Sequence, residues 1–259
     1  MSTSAAHPRA TVPRSPDPAP GERARLVYLV LAAAYVTALL LANIVGVKLF
    51  RIELGEAWGH AWVIKHSVGM ISFPITFVLT DLLNEYWGRR GARRVIFLAF
   101  AMGVLAFLIL WVARKVPAWE GVPNTATQAE VEAVFGASAL MYVASLLAFL
   151  LGSVLDVVLF GFFKRLTAGR AVWLRATGST VVSQLFDSLA VTGLYFAVIP
   201  GLLGRGAAPL GDVVGMALTG YWLKFALAVL LTPAIYAGRW GIRRYAGLAP
   251  LPPGAPGRE

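Results

Sequence analysis

The chain has 259 residues, of which 58% are hydrophobic and only 14% charged, with a formal net charge of +10 and no cysteine. Soluble domains carry nearer a quarter of charged residues, so an ordinary soluble fold is excluded; without thiols there are no disulfides, no thiolate catalysis and no cysteine metal sites. The basic excess does not mark a nucleic-acid binder, because Lys and Arg gather at the ends of apolar runs of about 20 residues, the length of a membrane span.

The expected fold class is an all-α polytopic membrane protein with six transmembrane helices. Residues 1–25 are rich in Pro, Ala, Ser and Arg without periodicity and read as a disordered cytoplasmic tail. The transmembrane domain is expected over residues 26–240. Its spans are Leu26–Leu49, His66–Trp87, Val95–Val112, Ser138–Phe163, Thr177–Ile199 and Val213–Ala237. Residues 241–259 read as a second cytoplasmic tail, Pro/Gly-rich from Ala246. Between spans 3 and 4 the stretch Thr125–Phe135 has the pattern of a short amphipathic helix. The N-terminal tail, the 2–3 loop, the 4–5 loop and the C-terminal side carry sixteen basic residues, against six on the opposite side. This asymmetry places both termini in the cytoplasm.

The most demanding stretch is Phe73–Arg94, FPITFVLTDLLNEYWGRRGARR. It buries Asp81 in an apolar helix, at about 2.5–3.5 kcal/mol on insertion scales. Glu85, four residues on, shares its face. Pro74 lacks an N–H and would free a backbone carbonyl, as Pro233 would in span 6. Span 4 carries Ser153 and Asp156, span 5 Ser183, Gln184 and Asp187, and span 6 Tyr221 and Lys224. Span 1 adds Asn43 near its outer end. Any one of these groups can be structural, as an interhelical ion pair or hydrogen bond. As a set they exceed that role, since three intramembrane aspartates, Asp81, Asp156 and Asp187, face one intramembrane lysine. Ionisable groups at this depth mark substrate pathways or proton relays. The sequence holds no HExxH, GxSxG, Walker or dinucleotide fingerprint, so no catalytic residue, metal site or cofactor is assigned. A membrane enzyme acting on a lipid or prenyl substrate would need denser acids than Asp81 with Glu85.

The chain resembles the queuosine precursor transporter family, also called the vitamin uptake transporter family. The resemblance runs from about Leu41 to Tyr236. It rests on Ala42-Asn43-Ile44 with Lys48, on Phe73-Pro74-Ile75-Thr76-Phe77 with Thr80-Asp81, Glu85 and Gly88, and on Asp156 with Phe160. Further on it rests on Trp173-Leu174-Arg175 with Ser179, Ser183-Gln184 and Asp187, then Lys224 and Thr232-Pro233 with Tyr236. The resemblance implies uptake of 7-cyano- and 7-aminomethyl-7-deazaguanine across the bacterial inner membrane. It also implies a fold related to the substrate-binding components of energy-coupling-factor transporters. A 7-deazaguanine presents N1–H and N2–H₂ as adjacent donors, which suits a carboxylate, Asp81 or Asp187. Gln184 or Lys224 can donate to O6, and aromatic rings such as Phe73 can cover the base. Asn43, Glu85, Asp156, Ser183 and Tyr221 complete the candidate substrate-binding set. With no nucleotide motif, secondary or facilitated uptake is expected, with Asp81, Glu85 or Asp156 able to carry a coupling proton. The alternative is a capture subunit for another vitamin-like molecule, working with a separate ATPase module. Small residues at Gly152, Ser153, Gly178 and Ser179 permit close helix contact, within one chain or across a homodimer.

Overall fold

A computed structural model describes residues 20–46, 48–57, 60–119, 121–136, 139–167, 172–202, 204 and 206–252. The expected disorder of residues 1–19, the end of the C-terminal tail beyond residue 252 and the side chains of Arg175 and Ser179 lie outside what it describes. The first long helix, α1, covers Pro20–Val45. Proline is tolerated at this first position, where its missing N–H would have had no helical partner. The helix therefore begins inside the stretch read as a tail. Ala32, Tyr35, Ala38, Leu39 and Ala42 recur at helical spacing and are buried, while Leu29, Val30 and Leu41 are exposed.

An antiparallel hairpin follows, β1 (Leu49–Ala57) with β2 (His60–Ser67). The all-α expectation misses it. Interrupted by Gly55 and Glu56, the stretch shows no clean alternation, and the pairing is irregular between Glu53 and Glu56. Ser67 then ends the strand, its hydroxyl donating to the Gly46 carbonyl (2.7 Å) and accepting from the Gly69 N–H (3.2 Å).

Helix α2 spans Phe73–Lys115. A straight helix of that length would reach about 65 Å, twice the hydrocarbon core of a bilayer. It is broken at Gly88, whose φ of 69° and ψ of −174° only glycine adopts readily. The expected spans 2 and 3 are thus two helical segments that meet directly at Gly88, without the longer loop expected between them. Pro74 lies in the first turn of α2, preceded by a short 3₁₀ turn at Val68–Ile71. It starts a helix and does not break one, because the first-turn N–H has no intrahelical acceptor to lose. Beyond Gly88, one face (Ala92, Val95, Ile96, Ala99, Gly103) is buried and the other (Phe97, Leu98, Leu105, Leu108, Ile109) is exposed.

The expected amphipathic segment is α3 (Gln128–Val131) extended by a π turn to Gly136. Thr127 and Glu130 form a reciprocal capping box at its start. Helix α4 covers Ala139–Leu166 and α5 Val172–Gly193, continued by a π turn (Leu194–Val198) and the short α6 (Ile199–Leu202). Helix α7 covers Leu210–Leu230, and α8 covers Thr232–Ala246. Pro233 opens α8, so here too the proline marks a junction. The helix runs on past the expected boundary at 240 and buries Ile242 and Ala246. The tail that follows Gly247 turns back onto the bundle, where the Leu251 N–H donates to the Glu85 carbonyl (3.0 Å).

Five helices among the described residues are long and apolar enough to cross a membrane: Gly21–Val45, Val68–Lys115, Tyr142–Leu166, Val181–Leu202 and Leu210–Leu230. The core binds α1, α2 and α4 through Tyr35, Leu39, Leu83, Tyr86, Ile96, Phe149 and Val157. Close approach depends on small residues. A Cβ at Gly103 would meet Leu146 at 2.6 Å, one at Gly152 would meet Asp187 at 3.1 Å, and one at Gly178 would meet Phe163 at 3.5 Å. These glycines serve contacts within the chain.

Candidate functional site

The first half of α2 presents Phe73, Thr76, Phe77 and Thr80 at steps of three and four, one face of a helix. Helix α4 presents Phe149, Gly152, Ser153 and Asp156 at the same steps, and α5 adds Gln184 and Asp187. With Tyr35 of α1 these residues line one cleft, which holds about 340 Å³ of atom-free space with its open mouth included. Its walls are therefore four aromatic rings and a band of oxygens.

The carboxylate of Asp187 is fixed by Lys224 of α7, whose Nζ lies 2.5 Å from Oδ2, both side chains about nine-tenths buried. Lys224 Nζ also stands 5.8 Å from the centre of the Phe73 ring, a cation–π distance. Asp187 reaches this position because Gly152 leaves room for it on α4, with Oδ1 only 3.3 Å from where a Cβ would be. One turn along the same α4–α5 contact Asp156 Oδ1 accepts from the Ser183 hydroxyl (3.0 Å), and the Tyr35 and Ser153 hydroxyls lie 3.4 Å apart. Thr76 and Thr80 spend their protons on the carbonyls of Phe73 (2.6 Å) and Thr76 (2.8 Å). Gln184 is different. Its side chain is 6% exposed, and Oε1 finds no hydrogen-bond partner among the described residues. Leaving a buried acceptor unmet costs about 1–3 kcal/mol. An oxygen in that state at the wall of a cleft is ready to accept from a donor that enters.

Phe73, Asp156, Gln184 and Asp187 line the cleft, with Ser183 and Lys224 bonded directly to cleft carboxylates. Asp81 is buried on α2 next to Thr80 but is not part of the lining. Asn43 donates to the Leu39 carbonyl on its own helix (2.9 Å). Tyr221 stacks against Trp222 and Phe225, away from the cleft. Glu85 sits further along α2. It pairs with Lys164 (3.0 Å) and Arg239 (3.6 Å). Lys164, counted above as a loop cation, is in fact buried at the end of α4. Sequence reasoning missed Tyr35, Thr76, Phe77, Thr80 and Phe149 as lining. The Phe73-Thr76-Phe77-Thr80 face was the available signal, since threonines four apart beside phenylalanines give a helix face that is neither lipid-like nor solvated.

The family model described as "Putative vitamin uptake transporter" matches residues 67–238, which include every helix that lines the cleft except α1. A "Probable queuosine precursor transporter" of Bacillus subtilis (strain 168) is 31% identical over 175 residues, 67% of this chain and 71% of that protein. The "Queuosine precursor transporter" of Escherichia coli (strain K12) is 32% identical over 129 residues, 47% of this chain and 51% of the relative. A "Probable queuosine precursor transporter" of Haemophilus influenzae is 28% identical over 134 residues. The match spans about half the length of these last two relatives, 51% and 52%. No solved structure matches. A largely helical chain with a polar cleft inside an apolar bundle, matched over about two thirds of its length by this model and by the Bacillus subtilis relative, belongs to the vitamin uptake transporter family, that of the queuosine precursor transporters.

Proposed function

We propose that the chain takes up queuosine precursors, 7-cyano- and 7-aminomethyl-7-deazaguanine, across the bacterial inner membrane by secondary or facilitated transport. The observation that carries this reading is the cleft itself, where Asp187, Lys224 and the unmet Gln184 oxygen converge between aromatic rings. The names of the relatives supply the substrate class. We place a flat bicyclic base between Phe73, Phe77, Phe149 and Tyr35, the four rings that line the cleft. In this pose the Asp187 carboxylate accepts the adjacent N1–H and N2–H₂ donors, a charge-assisted pair. Lys224, already beside Asp187, donates to O6, and Gln184 Oε1 accepts a further ring N–H. The ion pair opens to receive the ligand and is replaced by two ligand contacts, so the buried charges are never left alone. Asp156 with Ser183 continues the same α4–α5 wall one turn further on.

The run Val68–Lys115 is long enough for two crossings when divided at Gly88. Six crossings with both termini cytoplasmic then follow from the basic residues near Gly88 and in α8.

The test is binding of labelled 7-cyano- and 7-aminomethyl-7-deazaguanine to purified protein, and their uptake into vesicles containing only this chain. Saturable binding of either base, lost in Asp187→Asn, is expected. Absence of binding for both would overturn the substrate, and uptake that requires an added ATPase module would overturn the energetics.

A further inference from the structure

Apart from Asp81, the buried ionic groups outside the cleft lie together at one place among the described residues. On α2 the lining ends at Thr80 and Glu85 follows five residues later, about 7.5 Å along the axis. On α4 the lining ends at Asp156, and Lys164 follows eight residues later, about 12 Å. Both helices therefore run from the cleft toward the same end of the bundle. At that end the Glu85 carboxylate takes Lys164 on Oε2 (3.0 Å) and Arg239 of α8 on Oε1 (3.6 Å). The Glu85 backbone carbonyl accepts the Leu251 N–H (3.0 Å). Asn84 Nδ2 donates to the Val157 carbonyl (3.2 Å), Arg89 Nη2 to that of Val158 (3.2 Å), and the Tyr86 hydroxyl to that of Arg239 (3.2 Å). Every residue of α2 from Leu79 to Trp87 is buried.

A permanent seal would not need charges here. Replacing a buried ion pair by packed apolar residues is often neutral or stabilising. Nor does a topology signal need them, since a buried Lys164 paired with a glutamate is an inefficient flanking cation. What a cluster of this kind provides is two discrete states, paired and closed or separated and hydrated, that tip with small changes in balance. It also joins four parts of the chain, α2, α4, α8 and the turned-back tail, at a single residue, Glu85.

We propose that Glu85, Lys164 and Arg239 form a releasable clasp that closes the end of the bundle toward which α2 and α4 run from the cleft, and that it opens to let cargo leave. The clasp rests on the reading of the chain as a transporter, but not on which base it carries. In its closed state the clasp keeps water from the segment Leu82–Trp87 of α2 and the facing turns of α4. Opening separates α8 and the tail from the end of α4, and the freed charges become hydrated.

The absence of cysteine makes a direct test clean. A single reporter, Val157→Cys or Leu83→Cys, lies between cleft and clasp at positions 0% and 1% exposed. The rate of labelling by a membrane-impermeant thiol reagent is measured in right-side-out and inverted vesicles. In the otherwise native protein labelling should be slow and confined to one side. Glu85→Gln leaves two cations facing each other, and should raise the rate from that side by at least about tenfold. Arg239→Gln removes only the more exposed arm and should raise it by about two- to threefold. That variant keeps the test valid if Glu85→Gln does not fold. Unchanged labelling in Arg239→Gln and in a folded Glu85→Gln would overturn the clasp. A raised rate supports it even if the protein binds neither deazaguanine, an outcome that would instead refute the proposed substrate.

Discussion

The pair of Asp187 and Lys224 allows structural and functional roles to be separated. Both side chains are about nine-tenths buried and in direct contact, so removing one strands the other as a charge in a low-dielectric interior. Asp187→Ala or Lys224→Ala should each destabilise the protein by about 3–5 kcal/mol. At roughly 2–4 °C per kcal/mol for a chain of this size, that is a fall in Tm of about 6–20 °C. The double variant Asp187→Asn/Lys224→Gln keeps shape and hydrogen bonding without either charge, and should recover most of that loss. Base binding should not recover, because an amide cannot accept two donors as a carboxylate does. The assays are thermal unfolding in detergent and equilibrium binding of labelled base, run on all four proteins. Wild-type binding by the double variant would refute the role given to Asp187, and a double variant as unstable as the singles would refute the energetic argument for the pair.

Three other outcomes are expected. Gln184→Leu removes an acceptor that has no partner among the described residues, so unfolding temperature should hold or rise while base binding weakens by about tenfold; a large loss of stability would show that the oxygen is satisfied within the fold. Gly88→Ala forces a side chain onto a backbone at φ 69°, ψ −174°, and should cost about 1–3 kcal/mol, read as a lower unfolding temperature and poorer membrane yield. Glu130 accepts from the Thr127 backbone N–H and hydroxyl, which holds its carboxyl below the ordinary carboxylate range. The folded value is depressed, so the capping box contributes fully above the unfolded pKa and is lost as pH falls through the folded one. Amide exchange over Gln128–Gly136 should therefore speed up only in acid, and Glu130→Gln should abolish that pH step.

The sequence alone established the solvent and the inventory. Apolar blocks of span length, basic residues at their ends and polar side chains at helical spacing are local properties, and lipid leaves helices few alternatives. That is why α1, α4, α5 and α7 lie close to their expected places and why Asp81, Glu85, Asp156, Ser183, Gln184, Asp187 and Lys224 were legible as buried polar residues. What sequence could not supply was partnership. Two carboxylates four apart on one helix look equivalent in a list, yet Asp81 lies beside the cleft lining and Glu85 in a cluster with Lys164 and Arg239, because the neighbour of each is set by how α4 and α8 pack. Pro74 misled for a related reason. A missing N–H breaks a helix only if a carbonyl one turn earlier is already helical; that holds for Pro233, since Val229 lies in α7 and the helix is interrupted at Leu231, but Pro74 opens α2 just after a turn. The fate of Gly88, the hairpin after α1 and the return of the tail to Glu85 likewise depend on contacts between segments far apart in sequence, which only the assembled bundle decides.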